Sequence, residues 1–214
     1  MSDTLILIFE LIGTVAFSVS GALTGIKKKM DILGVIILGL TTAVGGGVIR
    51  DLILGNTPPN TFRNPVYAAV AIVTAIIVFL PPVYRLLFKS QKLYDLIMLW
   101  MDALGLGIFT VVGIQVAHTM GDSIGTHSAF LMIFVGVVTG VGGGVIRDMM
   151  AGDPPYIFVK HFYASASLIG ALVSIIMWHN IGSAAAMIAG TATIVVLRLM
   201  AAKFRWSLPK ADIE

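Results

Sequence analysis

The segment Gly45-Gly46-Gly47-Val48-Ile49-Arg50-Asp51 returns without a change at Gly142-Gly143-Gly144-Val145-Ile146-Arg147-Asp148, 97 positions later. Both copies close a long apolar run. Each glycine inside a helix costs roughly 1 kcal/mol relative to alanine, so two triplets at equivalent places need a physical reason. One reading is a kinked or unwound helix whose freed carbonyls line a pathway. The other is close helix packing on small residues. An arginine and an aspartate follow each triplet within one turn, and ionisable side chains at membrane depth mark a functional site.

Composition sets the medium. Of 214 residues 57% are hydrophobic and only 12% charged, with a mean hydropathy of +0.97. That is too apolar for a soluble domain. Apolar runs at about 5–26, 32–54, 66–80, 93–117, 129–150, 162–178 and 181–200 point to an all-α membrane protein with seven transmembrane helices. The chain contains no cysteine, which excludes disulfides, thiolate metal sites and cysteine nucleophiles. The N-terminal Met1-Ser2-Asp3-Thr4 has no basic region, so the first span reads as retained rather than as a cleaved signal.

The two halves align internally. Glu10, Gly13, Phe17, Ser18 and Gly21 match Asp102, Gly105, Phe109, Thr110 and Gly113 at a spacing of 92, and Tyr67-Ala68 matches Tyr163-Ala164 at 96. This is an internal duplication of three spans, with repeat one at about 5–82 and repeat two at about 93–179. An odd number of spans per copy predicts two inverted repeats, as in many transporters and channels. The seventh helix, about 181–200, stands outside the repeat, and a polar tail at 201–214 is expected to be mobile.

Lys27, Lys28, Lys29, Arg85, Lys89, Lys92, Lys160, Lys203, Arg205 and Lys210 fall on one side of this topology, and Arg63 on the other. The bias places the C-terminus in the cytoplasm and the N-terminus outside. It also accounts for the basic balance without nucleic acid. Glu10, Arg50 and Asp51 then lie in the outer half of the membrane, and Asp102, Arg147 and Asp148 in the inner half. Two mirrored charged layers flank the glycine triplets, with Arg50 expected to pair with Glu10 and Arg147 with Asp102. Adjacent on a helix, Arg50 and Asp51 are expected to face different partners. Ser18, Ser20, Thr41, Thr42, Thr110 and Thr139 either bond within helices or line a polar path. His118, His127, His161 and His179 sit at span ends, without metal-site spacing, and Trp100, Trp178 and Trp206 read as core or interfacial aromatics. No nucleophile–base motif appears, so an enzyme is not expected. Gly140-Val141-Gly142-Gly143-Gly144 lacks the βαβ context of a nucleotide loop.

Paired GGGVIRD segments in two three-span repeats, with a seventh span, resemble the prokaryotic trimeric intracellular cation channels, also grouped as a bacterial glycine transporter family. The resemblance covers about 5–200. It implies a homotrimer in the bacterial inner membrane, with one pore per subunit for potassium and also sodium. That pore would be lined by second and fifth helices kinked at Gly45, Gly46, Gly47, Gly142, Gly143 and Gly144. Asp51, Asp148, Glu10 and Asp102 would hold cations at the mouths, Ser18 and Thr110 would line the path, and Arg50 and Arg147 would gate it or pair off its charge. The only metals implied are the permeant ions, no cofactor is implied, and the other contacts are membrane lipid. The animal members' lysine-containing signature after the first triplet is replaced by Val48-Ile49-Arg50. Two alternatives stand beside the channel: a secondary carrier for a small zwitterion such as glycine, and a structural membrane scaffold.

Overall fold

A computed structural model describes residues 3–159 and 162–206. Lys160, His161 and Lys210 lie outside these residues, as do the tail from 207 onward and the side chain of His179. The described chain is helical in eleven segments: α1 (Asp3–Lys27), α2 (Ile32–Ile53), α3 (Asn60–Arg63), α4 (Val66–Phe79), α5 (Pro81–Leu87), α6 (Gln91–Thr119), α7 (Gly121–Ile124), α8 (Ala129–Met150), α9 (Tyr156–Val159), α10 (Ala164–Ile181) and α11 (Ser183–Phe204).

Local chemistry explains the boundaries. Asp31 caps α2 by accepting from the Gly34 amide at 2.7 Å, and Ser90 caps α6 by accepting from the Leu93 amide at 3.2 Å, each satisfying an otherwise orphaned N–H. Past the ends of α2 and α8, Gly55 and Gly152 turn the chain with φ of +70° and +72°, a conformation glycine adopts without a Cβ penalty. Pro81 stops α4, because the residue before a proline is driven out of the helical region. Leu80 is extended, α5 restarts at once, and the two helices meet at 77°. The tail begins later than expected, since α11 runs on to Phe204.

Five helices, α1, α2, α6, α8 and α11, are long and apolar enough to cross a membrane. The bent pair α4–α5 makes a sixth if read as one span, and the apolar stretch of α10, Ala164–Trp178, is shorter than the rest. α6 is the central helix: 72% of its most apolar stretch is buried, against 39–50% for the other four.

The duplication is visible in the packing. The Phe17 ring lies where a Cβ on Gly105 would be, and Phe109 lies 3.1 Å from a Cβ built on Gly13. A Cβ on Gly46 would collide with the Thr139 carbonyl, and one on Gly143 with the Thr42 carbonyl. Each contact is therefore made twice with the partners exchanged, which is the mark of a two-fold relation between the repeats.

These contacts correct one expectation. α2 and α8 stay α-helical through both triplets, so no unwound carbonyls are exposed there. The glycines act instead by letting two backbones touch. Gly46 and Gly143 carry the crossing, Gly142 stacks on Gly46, and Gly45 makes room for Ile146.

Candidate functional site: two buried charge clusters

The first cluster gathers α1, α2, α3 and α4. Arg50 directs Nε to Asp51 Oδ1 at 2.8 Å and holds Nη1 3.9 Å from Glu10 Oε1. Tyr67 donates its hydroxyl proton to Glu10. Asp51 Oδ2 accepts from the Asn60 amide at 2.7 Å, tying α3 back to the end of α2.

The second cluster repeats the pattern in α6, α8, α9 and α10. Arg147 donates through Nη1 to Asp102 Oδ1 at 2.7 Å and through Nε to Asp148 Oδ1 at 2.8 Å. Tyr163 donates to Asp102 Oδ1 at 3.4 Å, and Asp148 Oδ2 accepts from the Tyr156 amide at 2.8 Å. Two contacts have no counterpart in the first cluster among the described residues. Ser20 accepts from Arg147, and Arg198 of α11 places Nη2 3.5 Å from Asp102 Oδ2. The second cluster is the more deeply buried, with Arg147 and Asp102 at most 1% exposed, whereas Glu10 is 13% exposed.

The arginines thus reach across helices to Glu10 and Asp102. Asp51 and Asp148, however, are not turned to separate partners: each binds the arginine that precedes it. Their Cβ atoms diverge by about 100°, but an arginine side chain is long enough to bend back. Each aspartate uses its second oxygen on the next loop helix, which explains an acid at a helix C-terminus, where the dipole alone disfavours it.

On α1, Glu10 belongs to the first cluster and Ser20 to the second, which sets them about 15 Å apart along the helix. Phe17 lies between them and packs against Phe109 with ring centroids 5.4 Å apart. Leu40, Ala43, Val44 and Ala71 complete this apolar layer. Glu10 and Tyr67 of the first cluster line an outer cavity of about 450 Å³, and behind it lies a cavity of about 20 Å³, lined by Glu10, Thr14, Gly47, Arg50, Tyr67 and Phe109 among others. That is room for about one water. Beside the second cluster are cavities of about 490 and 350 Å³ that share Lys27, Tyr94 and Tyr156. Gly47 lines the small cavity, where a Cβ would meet only Arg50 Nη2 at 3.8 Å, while Gly144 faces the Tyr163 hydroxyl.

Ser18 and Thr110 are turned elsewhere. Ser18 donates to the Ala71 carbonyl of α4 at 2.7 Å. Thr110 bonds the Leu106 carbonyl at 2.7 Å and meets Ser167 Oγ of α10 at 2.8 Å. Both join neighbouring helices and leave the α2–α8 crossing to the glycines. Sequence reasoning missed the tyrosines as carboxylate partners, and it missed Arg198. The signal for Arg198 was present: it is the sole charge in the seventh apolar run.

Comparison with known proteins shows the family. The chain matches the family described as glycine transporter over residues 7–81 and 99–179. It is 34% identical to a UPF0126 membrane protein of Vibrio cholerae, over 98% of this chain and 84% of that one. It is 35% identical to the UPF0126 membrane protein YvgT of Bacillus subtilis, over 97% and 96%. A related protein of Escherichia coli, 32% identical over 96% and 95%, is named the inner membrane protein YadS. Among solved structures, a TRIC cation channel studied for the structural basis of its conductance superposes with a TM-score of 0.83 at 37% identity, covering 97% of each chain. A trimeric intracellular cation channel orthologue from Rhodobacter sphaeroides gives 0.82 at 32% identity, over 95% and 100%. The chain is an integral membrane protein of the UPF0126 family, which it shares with the prokaryotic trimeric intracellular cation channels.

Proposed function

We propose that the protein is a passive channel for monovalent cations, chiefly potassium and also sodium, with one pathway in each subunit of a homotrimer. One observation carries the reading: two equivalent carboxylate–arginine clusters sit at either end of an apolar constriction, each with a cavity beside it. Carboxylates concentrate cations, and the arginines limit how much negative charge the path presents. The pathway runs between α2 and α8, past Phe17 and Phe109, and opens when the two helices bend or slide at the triplets. In the bilayer the two-fold relation becomes an inverted repeat of three spans each, with α11 as the seventh. The basic helix ends face the cytoplasm, and the membrane is the bacterial inner membrane, as the name of the Escherichia coli relative supports.

The family description favours a second reading, alternating-access transport of glycine. Proteoliposomes separate the two. A channel passes potassium down its gradient without saturation and shows no glycine counterflow; saturable glycine counterflow without potassium flux would replace the channel with the carrier.

The constriction makes its own prediction. Phe109→Ala removes one of the two facing rings and joins the small cavity to the layer behind it. Potassium flux through the purified trimer is expected to rise several-fold. Unchanged flux from a correctly assembled variant would move the pathway away from Phe109.

A further inference from the structure

The 490 Å³ cavity beside the second cluster is lined in part by α11, the helix that stands outside the repeats. Lys27, Asp95, Asp102, Arg198 and Arg205 are the charged residues that line it, three cations against two carboxylates. Asp102 is already held by Arg147, and Asp95, exposed, accepts from Gln91. Asp102 Oδ2 makes no hydrogen bond among the described residues and lies 3.5 Å from Arg198 Nη2. Arg198 is 4% exposed, and its Nε has no hydrogen-bond partner among the described residues. Its guanidinium lies over the Tyr163 ring at 4.6 Å. Lys27 rests over the Tyr94 ring at 4.5 Å rather than on a carboxylate. A buried guanidinium N–H left unbonded is costly, and its fork fits an oxyanion better than any other small partner. Tyr94, Tyr156 and Trp206 add aromatic walls.

We propose that this cavity binds a small oxyanion, a phosphate or carboxylate group, held by Arg198, Lys27 and Arg205. The occupant draws Arg198 away from Asp102 Oδ2 and cancels the positive excess at that mouth, so cation passage increases. This coupling rests on the channel reading; the binding does not. The oxyanion comes either from solution or from the headgroup of an anionic lipid reaching between the helix ends.

The test is equilibrium binding of radiolabelled inorganic phosphate to the purified protein, with potassium flux measured in parallel in phosphatidylcholine liposomes with and without phosphatidylglycerol. Saturable phosphate binding is expected, weakened about tenfold by Arg198→Gln. Lys27→Gln, at the exposed rim where folding is not at risk, weakens it in the same direction. A flux increase with phosphatidylglycerol alone, lost in both variants, assigns the oxyanion to lipid and supports the site. Phosphate binding without potassium flux retains the site and removes the channel. The site is overturned if both variants bind phosphate as the wild type does, or if neither phosphate nor phosphatidylglycerol has any effect.

Discussion

Arg147→Ala is expected to destabilise the subunit by about 3–5 kcal/mol, the usual result of removing one partner from a buried ion pair. The variant leaves Asp102 and Asp148, both nearly fully buried, without their shared cation. Arg147→Lys recovers only part of the loss, because an ammonium cannot span both carboxylates as the guanidinium does. The equivalent Arg50→Ala is expected to cost less. Glu10 stands 3.9 Å from the guanidinium, is partly exposed and keeps its bond from Tyr67, so Asp51 bears most of the change. Thermal unfolding of the purified variants checks the order. Equal losses for Arg50→Ala and Arg147→Ala would contradict the difference in burial described above.

The second large effect concerns the triplets. Gly46→Leu and Gly143→Leu each drive a side chain into the facing backbone carbonyl, of Thr139 and Thr42 respectively. Backbone cannot step aside as a flexible side chain can, so the cost should reach or exceed the 1–3 kcal/mol typical of overpacking, with α2 and α8 forced apart. Gly47→Ala is the control, since its Cβ would meet only Arg50 Nη2 at 3.8 Å. It should gain roughly 0.5–1 kcal/mol from better helix propensity. Assembled yield on size exclusion and unfolding temperature report both. Destabilisation by Gly47→Ala equal to that by Gly46→Leu would mean that the glycines serve the conformation of their own helix rather than the crossing.

The contrast within one triplet shows what a sequence can convey. That two equivalent helices each contain three glycines was plain from the repeat. Which glycine touches what was not, because the contacted atoms are carbonyls of Thr139 and Thr42, and a carbonyl looks the same at every residue. The helices themselves were legible to within a few residues, since apolar runs ended by lysines, prolines or glycine turns leave little choice. Pro81-Pro82 was readable as a stop but not as a 77° corner, because the angle depends on what α5 packs against. Arg50–Glu10 and Arg147–Asp102 followed from charge scarcity in an apolar chain. Tyr67 and Tyr163 did not, because a tyrosine at a span start reads equally well as an interfacial aromatic. Arg198 escaped because the repeat directs attention to positions that occur twice, and α11 occurs once.

The central claim is that the clusters and the layer between them form a cation pathway. Single-channel recording of the purified protein in a planar bilayer under a KCl gradient, with glycine then added, tests it most directly. Unitary steps that reverse toward the potassium equilibrium potential and ignore glycine are the predicted result. An electrically silent protein that exchanges glycine in liposomes would contradict it, and the paired clusters would then have to be read as the two gates of a carrier.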